Sequence, residues 1–210
     1  MVHGDDQGLI LPPRLAPYQV VIVPIFKSDE EKALVFEASK KIKEQLVKAD
    51  VRVKVDEREG QSPGFKFNDW EMRGVPLRME IGPKDVAKGS VVLARRDRPG
   101  KEGKAFIPQE GIAESVQKLL AEIQQALFDR ALAFRNTHTF EPANMTEFQS
   151  AVEKGFARSF WCGEGKCEEQ IKESTKATLR CIPLEQPRGK GVCISCGQPA
   201  SEMAIFGKAY

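Results

Sequence analysis

Gln19-Val-Val-Ile-Val-Pro-Ile-Phe26, followed closely by Ser28-Asp-Glu-Glu-Lys-Ala-Leu34, is the stretch on which the fold class turns. A continuous apolar run of this length predicts a strand buried on both faces, as in a parallel sheet. Ser28 or Asp29 predicts a helix cap, and the acidic Asp29, Glu30 and Glu31 suit the positive end of a helix. Leu34, Ala38, Ile42 and Leu46 recur every four residues and predict its apolar face, until Asp50. Val51-Arg-Val-Lys-Val55 then alternates as a half-buried strand should. Strand, helix and strand in succession make a βαβ unit, and the class is α/β.

Working outward, Gln61 to Gly74 reads as a loop leading into a short helix that Gly74 ends. Strands follow at Pro76–Ile81, Ser90–Arg95 and around Ala105–Ile107. A long amphipathic helix then presents Ile112, Val116, Leu119, Leu120, Ile123 and Leu127 on one face. These elements predict one domain over residues 17–133. Residues 134–145 have no period and contain turn formers, which predicts a linker. The remainder, 146–210, predicts a second, smaller domain with helices at 146–157 and 167–176 and a strand around 179–184. Upstream, residues 1–16 are dense in Gly and Pro; Leu9–Leu11 reads as a strand running into a rigid connector at Pro12 and Pro13.

The composition of the 210 residues, 41% hydrophobic and 30% charged, is that of a core-forming chain of one or two domains. No apolar run approaches the roughly 20 residues of a membrane helix, and the first residues lack a basic region followed by an apolar one. The expectation is a cytoplasmic protein without a membrane partner. The net charge of +2 hides a distribution: residues 51–106 carry 13 Lys and Arg against 9 Asp and Glu. A nucleic-acid footprint fits in such a stretch, and so does an ordinary solvated face.

All five cysteines lie beyond residue 160, and four form two close pairs, Cys162 with Cys167 and Cys193 with Cys196. Two such loops facing each other would supply the four thiolates that tetrahedral Zn²⁺ takes, and the glycines at 163, 165 and 197 let the backbone wrap the metal. Free thiols are one alternative; a redox pair at Cys193-x-x-Cys196 is another. The redox pair is expected between a strand and a long helix early in a βαβ unit, whereas this pair precedes Gly197 and Pro199. No His follows position 138, so the expected metal role is structural. Cys181, in an apolar strand, reads as a packed core thiol.

Phe65, Phe67 and Trp70 are interleaved with Lys66, Arg73 and Arg78. Aromatic faces stack on unpaired bases while cations hold phosphate, so this pattern suits single-stranded RNA. Glu71 and Asp85 are candidate acceptors for guanine N1 and N2, and Arg78 a candidate donor to O6 and N7. The competing reading buries Phe67 and Trp70 in a core and leaves the charges to solvent.

Three stretches resemble the prolyl-tRNA synthetases of the archaeal/eukaryote-like type. His3-Gly-Asp-Asp-Gln-Gly-Leu-Ile-Leu-Pro-Pro-Arg-Leu-Ala-Pro17 resembles the family's motif 3 region. Ser62-Pro-Gly-Phe-Lys-Phe-Asn-Asp-Trp-Glu-Met-Arg-Gly74, continued to Asp85, resembles its anticodon-binding domain. The paired cysteines and Phe206-Gly-Lys-Ala-Tyr210 resemble its zinc-binding C-terminal domain. The resemblance implies a class IIa anticodon-binding fold, a mixed five-stranded sheet with three helices, followed by a small α/β zinc-binding domain. It implies that Arg14 contacts ATP phosphate. Glu71, Arg78, Lys84 and Asp85 would read the two guanines shared by proline anticodons, and Arg95 and Arg96 would contact the RNA backbone. Cys162, Cys167, Cys193 and Cys196 would hold Zn²⁺, and the terminal carboxylate of Tyr210 would be functional.

The family's catalytic domain, with motifs 1 and 2 and the proline pocket, precedes motif 3 and has no counterpart in this sequence. The expectation is therefore a C-terminal fragment that binds tRNA-Pro and does not itself activate proline. Proline, ATP, Mg²⁺ and homodimerisation would belong to the parent ligase. Segment 1–16 would be partly disordered or packed in a non-native way. The alternative function is a free-standing, zinc-stabilised RNA- or protein-interaction module.

Overall fold

Val20 to Val23 have no solvent-accessible surface in the computed structural model, which describes residues 3–186 and 189–209 of the chain. The chain divides into two units, residues 1–130 and 131–210.

In the first unit the elements run β1 (Gly4–Asp5), β2 (Gly8–Leu9), β3 (Val20–Pro24), α1 (Asp29–Lys48), β4 (Val53–Val55), α2 (Pro63–Met72), β5 (Leu77–Ile81), α3 (Pro83–Lys88), β6 (Ser90–Arg95), β7 (Lys104–Pro108) and the greater part of α4 (Ile112–Thr137), which crosses the boundary at residue 130. The five-stranded sheet has the order β4-β3-β5-β6-β7. Its first three strands are parallel, as the apolar run at 20–24 requires, and β6 and β7 are antiparallel. One face, carrying Val20, Ile22, Leu77, Met79, Ile81, Val91 and Leu93, packs against α1 and α4 in the main core. The other face buries Val21 and Val23 under Trp70 and Phe67 of α2. Ser62 caps α2 by accepting from the Phe65 N–H at 3.2 Å, and Pro63 supplies a first turn that needs no donor.

Three local expectations need correction. Leu34 is exposed, and the buried row of α1 is Val35, Ser39, Ile42 and Leu46. Ser39 hides the period because it is polar yet fully buried; its hydroxyl donates to the Val35 carbonyl at 2.7 Å, so burying it leaves no unpaired donor. Residues 3–16 are packed; of the two alternatives expected for this segment, partial disorder is the one its packing opposes. Ile10 joins the main core, and the Arg52 guanidinium donates to the carbonyls of Pro13 (2.8 Å) and Ala16 (3.0 Å). The stretch expected as a linker, residues 134–145, begins with the last turn of α4, to Thr137, and includes β8 (Thr139–Phe140). The Thr137 and Thr139 hydroxyls donate to carbonyls of the last helical turn, satisfying groups that a helix end leaves open.

The second unit continues with α5 (Met145–Lys154), β9 (Phe156–Trp161), α6 (Gly165–Thr175), β10 (Ala177–Cys181), β11 (Gly191–Val192), β12 (Pro199–Ala200) and β13 (Glu202–Lys208). Its sheet has the order β10-β13-β9-β8, and β11 and β12 form a separate hairpin. Phe148 and Phe206, fully buried with ring centroids 5.4 Å apart at 68°, centre its core with Ile171, Ala157 and Ala204. Cys181 is exposed, not packed. A register shift between Leu179 and Cys181 breaks the alternation there, so inside and outside can no longer be counted along β10.

Candidate nucleic-acid interface and metal centre

Strand alternation places Arg78 and Glu80 of β5 on the sheet face that α2 partly covers. The registers Arg78↔Ala94, Ala94↔Lys104 and Val92↔Phe106 extend that face across β6 to β7. Arg78 is mostly buried; its guanidinium lies 4.1 Å from the Phe67 ring centroid, donates to Glu80 at 2.9 and 3.2 Å, and pairs with the Glu71 carboxylate. Lys104 donates to the same Glu80 oxygen at 2.9 Å. Glu71 keeps 36% of its side chain exposed and Phe106 is 77% exposed. The result is a half-open platform: an aromatic face braced by a cation, an exposed carboxylate that accepts N–H donors, and a second exposed aromatic ring. Such a surface can stack unpaired bases and accept from a guanine edge.

The structure divides the aromatic residues between the two sequence readings. Trp70 is a core residue, its indole N–H donating to Asp56 at 2.8 Å, whereas Phe65 is exposed and Phe67 is half-buried under Arg78. Lys66 is also buried, against Asp56. Asp56 ties these groups together. Burial alone would raise its pKa, but donation from Arg58 and Trp70, aided by the nearby Lys66 charge, holds it far below the usual carboxylate range.

Lys84 is exposed on the first turn of α3, and Asp85 accepts from the Gly82 N–H at 2.9 Å. Arg95 is clamped by Asp97 at 2.8 and 3.0 Å. Arg96 holds Asp5 at 2.6 and 2.9 Å. Both guanidinium groups, expected to reach an RNA backbone, are thus engaged inside the protein. Arg14 is exposed, with its N–H donating to Gln124 at 3.2 Å. Tyr210 lies outside the described residues. Sequence reasoning missed Glu80, Lys104 and Phe106. Period-two alternation from Arg78 would have found Glu80; the other two depend on the β6–β7 register.

In the second unit the sulfurs of Cys162, Cys167, Cys193 and Cys196 all lie within 4.8 Å of one another. Cys162 and Cys167 sulfurs are 3.6 Å apart, and Cys162 and Cys196 sulfurs 3.9 Å apart. A disulfide would need about 2.05 Å, whereas the edge of a tetrahedron with Zn–S bonds of about 2.3 Å is about 3.8 Å. Burial and the neighbouring sulfurs push the Cys167 thiol up to about 12. Burial also opposes Cys193 ionisation, but the N–H groups of Cys196, Ser195 and Cys162 bring it down to about 7. A low-pKa thiol and three more sulfurs, all within 4.8 Å of one another, form a donor set that could hold a metal ion.

The mixed five-stranded sheet and α2 both fall within residues 19–125, the stretch matched by the family model described as anticodon binding domain. The model described as prolyl-tRNA synthetase, C-terminal, matches residues 145–210. The chain belongs to the anticodon-binding domain family, matched over half of its length. It is 53% identical over 210 residues to the proline–tRNA ligase of Roseiflexus castenholzii and to that of Chloroflexus aurantiacus, covering 44% of each. It is 48% identical over 214 residues to the chloroplastic/mitochondrial proline–tRNA ligase of Arabidopsis thaliana, covering 39% of it. The chain thus spans less than half the length of these relatives. Among the described residues, no helix is long and apolar enough to cross a membrane.

Proposed function

We propose that this chain is the tRNA-binding portion of a proline–tRNA ligase and reads the anticodon of tRNA-Pro. The observation that carries the reading is the Phe67–Arg78–Glu71 cluster within the matched anticodon-binding domain. Glu71 accepts from guanine N1 and N2, Arg78 shares its guanidinium between that carboxylate and a base edge, and Phe67 forms the floor. Lys84 and the remaining acceptor capacity of Asp85 complete the guanine-reading set. Glu80 and Lys104 fix Arg78, and Phe106 offers a further base its face.

The four thiolates hold a structural Zn²⁺ that ties the Cys162–Cys167 loop to the Cys193–Cys196 loop. In the whole ligase, Arg14 contacts ATP phosphate, and activation of proline with ATP and Mg²⁺ takes place in a cytoplasmic homodimer. The test is binding to tRNA-Pro beside the same tRNA with its two anticodon guanines replaced, at fixed moderate salt. A clear preference for the guanines is expected. Equal binding would refute anticodon reading and leave a generic RNA-interaction module.

A further inference from the structure

Arg96 is the most enclosed arginine of the first unit's polar face, with 3% of its side chain exposed, and its donors run in two directions. Nε donates to the Glu71 carbonyl at 2.9 Å, within the residue whose carboxylate holds Arg78. The two terminal nitrogens donate to the Asp5 carboxylate at 2.6 and 2.9 Å, and one of them also reaches the Gly8 carbonyl at 3.2 Å. One planar group therefore joins the end of α2 to the β1–β2 hairpin.

The hairpin sits directly on that helix end. Gly8, at φ +126°, approaches so closely that a Cβ would lie 2.5 Å from the Met72 Cα. Gly74, at φ +74°, meets Leu9 in the same way, and the Leu11 N–H donates to the Gly74 carbonyl at 3.2 Å. These contacts leave little slack between α2 and the hairpin. The hairpin itself is thin and mostly exposed, with Ile10 as its buried anchor, so it belongs to the part of the unit that opens most readily.

We infer that Arg96 is a positioning residue that couples docking of the residue 4–9 hairpin to recognition of guanine by Glu71 and Arg78. The inference rests on the tRNA-binding reading above. With the hairpin docked, Arg96 is held by Asp5 and fixes the backbone of Glu71, so the carboxylate is preorganised for the base. With the hairpin released, Arg96 loses its carboxylate and Glu71 loses its backbone anchor. Linkage is reciprocal: if docking tightens guanine binding by some factor, guanine binding must tighten docking by the same factor.

The test uses the 210-residue chain and two anticodon stem-loop RNAs, one with the two guanines and one with adenines in their place. In the unsubstituted protein the guanine RNA should slow amide exchange of Ile10 and Leu11 about fivefold or more, and the adenine RNA should not. Asp5→Asn removes the charge that holds Arg96 but is remote from the bases. It should cut the preference for the guanine RNA by a similar factor while leaving adenine-RNA affinity unreduced, and Asp5→Glu should restore part of it. A purely structural role would lower both affinities together and would overturn the inference. So would guanine preference in the unsubstituted protein with unchanged hairpin exchange and an Asp5→Asn variant that retains the preference. Absence of guanine preference in the unsubstituted protein would instead refute anticodon reading, and the coupling with it.

Discussion

Replacing Asp56 with asparagine should destabilise the first unit by about 3–5 kcal/mol, the usual cost of breaking a buried charge pair from one side. The geometry explains the size. Oδ1 accepts from the Arg58 backbone N–H (3.1 Å) and Nε (2.9 Å), while Oδ2 accepts from Arg58 Nη2 (2.7 Å) and Trp70 Nε1 (2.8 Å). Lys66 stands 3.7 Å away. An amide has one oxygen, so whichever way the substituted side chain turns, its NH₂ faces two donors; each buried donor left unpaired costs about 1–3 kcal/mol. The loss would be measured by urea denaturation, following Trp70 fluorescence in a Trp161→Phe background. Asp69→Asn is the control: Asp69 holds Arg58 and Arg73 on a more open face and should lose clearly less. A cost for Asp56→Asn below about 1 kcal/mol, or equal to that of the control, would show that this carboxylate does not anchor α2.

The same carboxylates set a pH dependence. Asp56 lies well below its ordinary value when folded and Asp5, held first by Arg96, lies at about 2. The stability they contribute is therefore fully present above about pH 4 and is lost as pH falls through the folded values, so the first unit's melting temperature should drop between about pH 4 and pH 2. Asp56→Asn should flatten that slope. Glu71→Gln should weaken binding of guanine-containing RNA about 5- to 150-fold, the range of one base-specific contact, with little change toward RNA lacking the guanines, as a filter or fluorescence titration would record. Cys193→Ser, or a strong chelator, should unfold the second unit while the Trp70 signal of the first melts unchanged, because four ligands join its two loops. A second unit that melts identically with and without chelator would refute the structural zinc.

Much of this architecture is legible in the sequence because β3 is a continuous apolar run and α4 carries a strong hydrophobic period, and because the paired cysteines carry a metal spacing. The failures have local causes. Ser39 sits in the core of α1 and breaks the apolar count, which places the face one residue off. The irregularity in β10 turns Cys181 outward. At the candidate interface, the residue types around 65–85 are visible, but their division of labour is not. Trp70 and Lys66 are inside because Asp56, ten or more residues away, draws them there; Arg95 and Arg96 are withheld from solvent by Asp97 and Asp5. Such pairings are set by the fold and leave no period in the chain.

The position of β13 in the second unit has a consequence for how the protein is made. This strand, residues 202–208, pairs with β9 along six residues and with β10 along four, and it stands between them in the sheet. While the chain is being synthesised, β9 and β10 therefore each wait with a bare edge that only β13 covers. Domains emerging from the ribosome generally fold in order from the N-terminus, so the first unit can be complete while the second still presents those edges to any passing strand. The interval closes only when β13 is available to pair, so within this unit the sheet's centre is the last part to form.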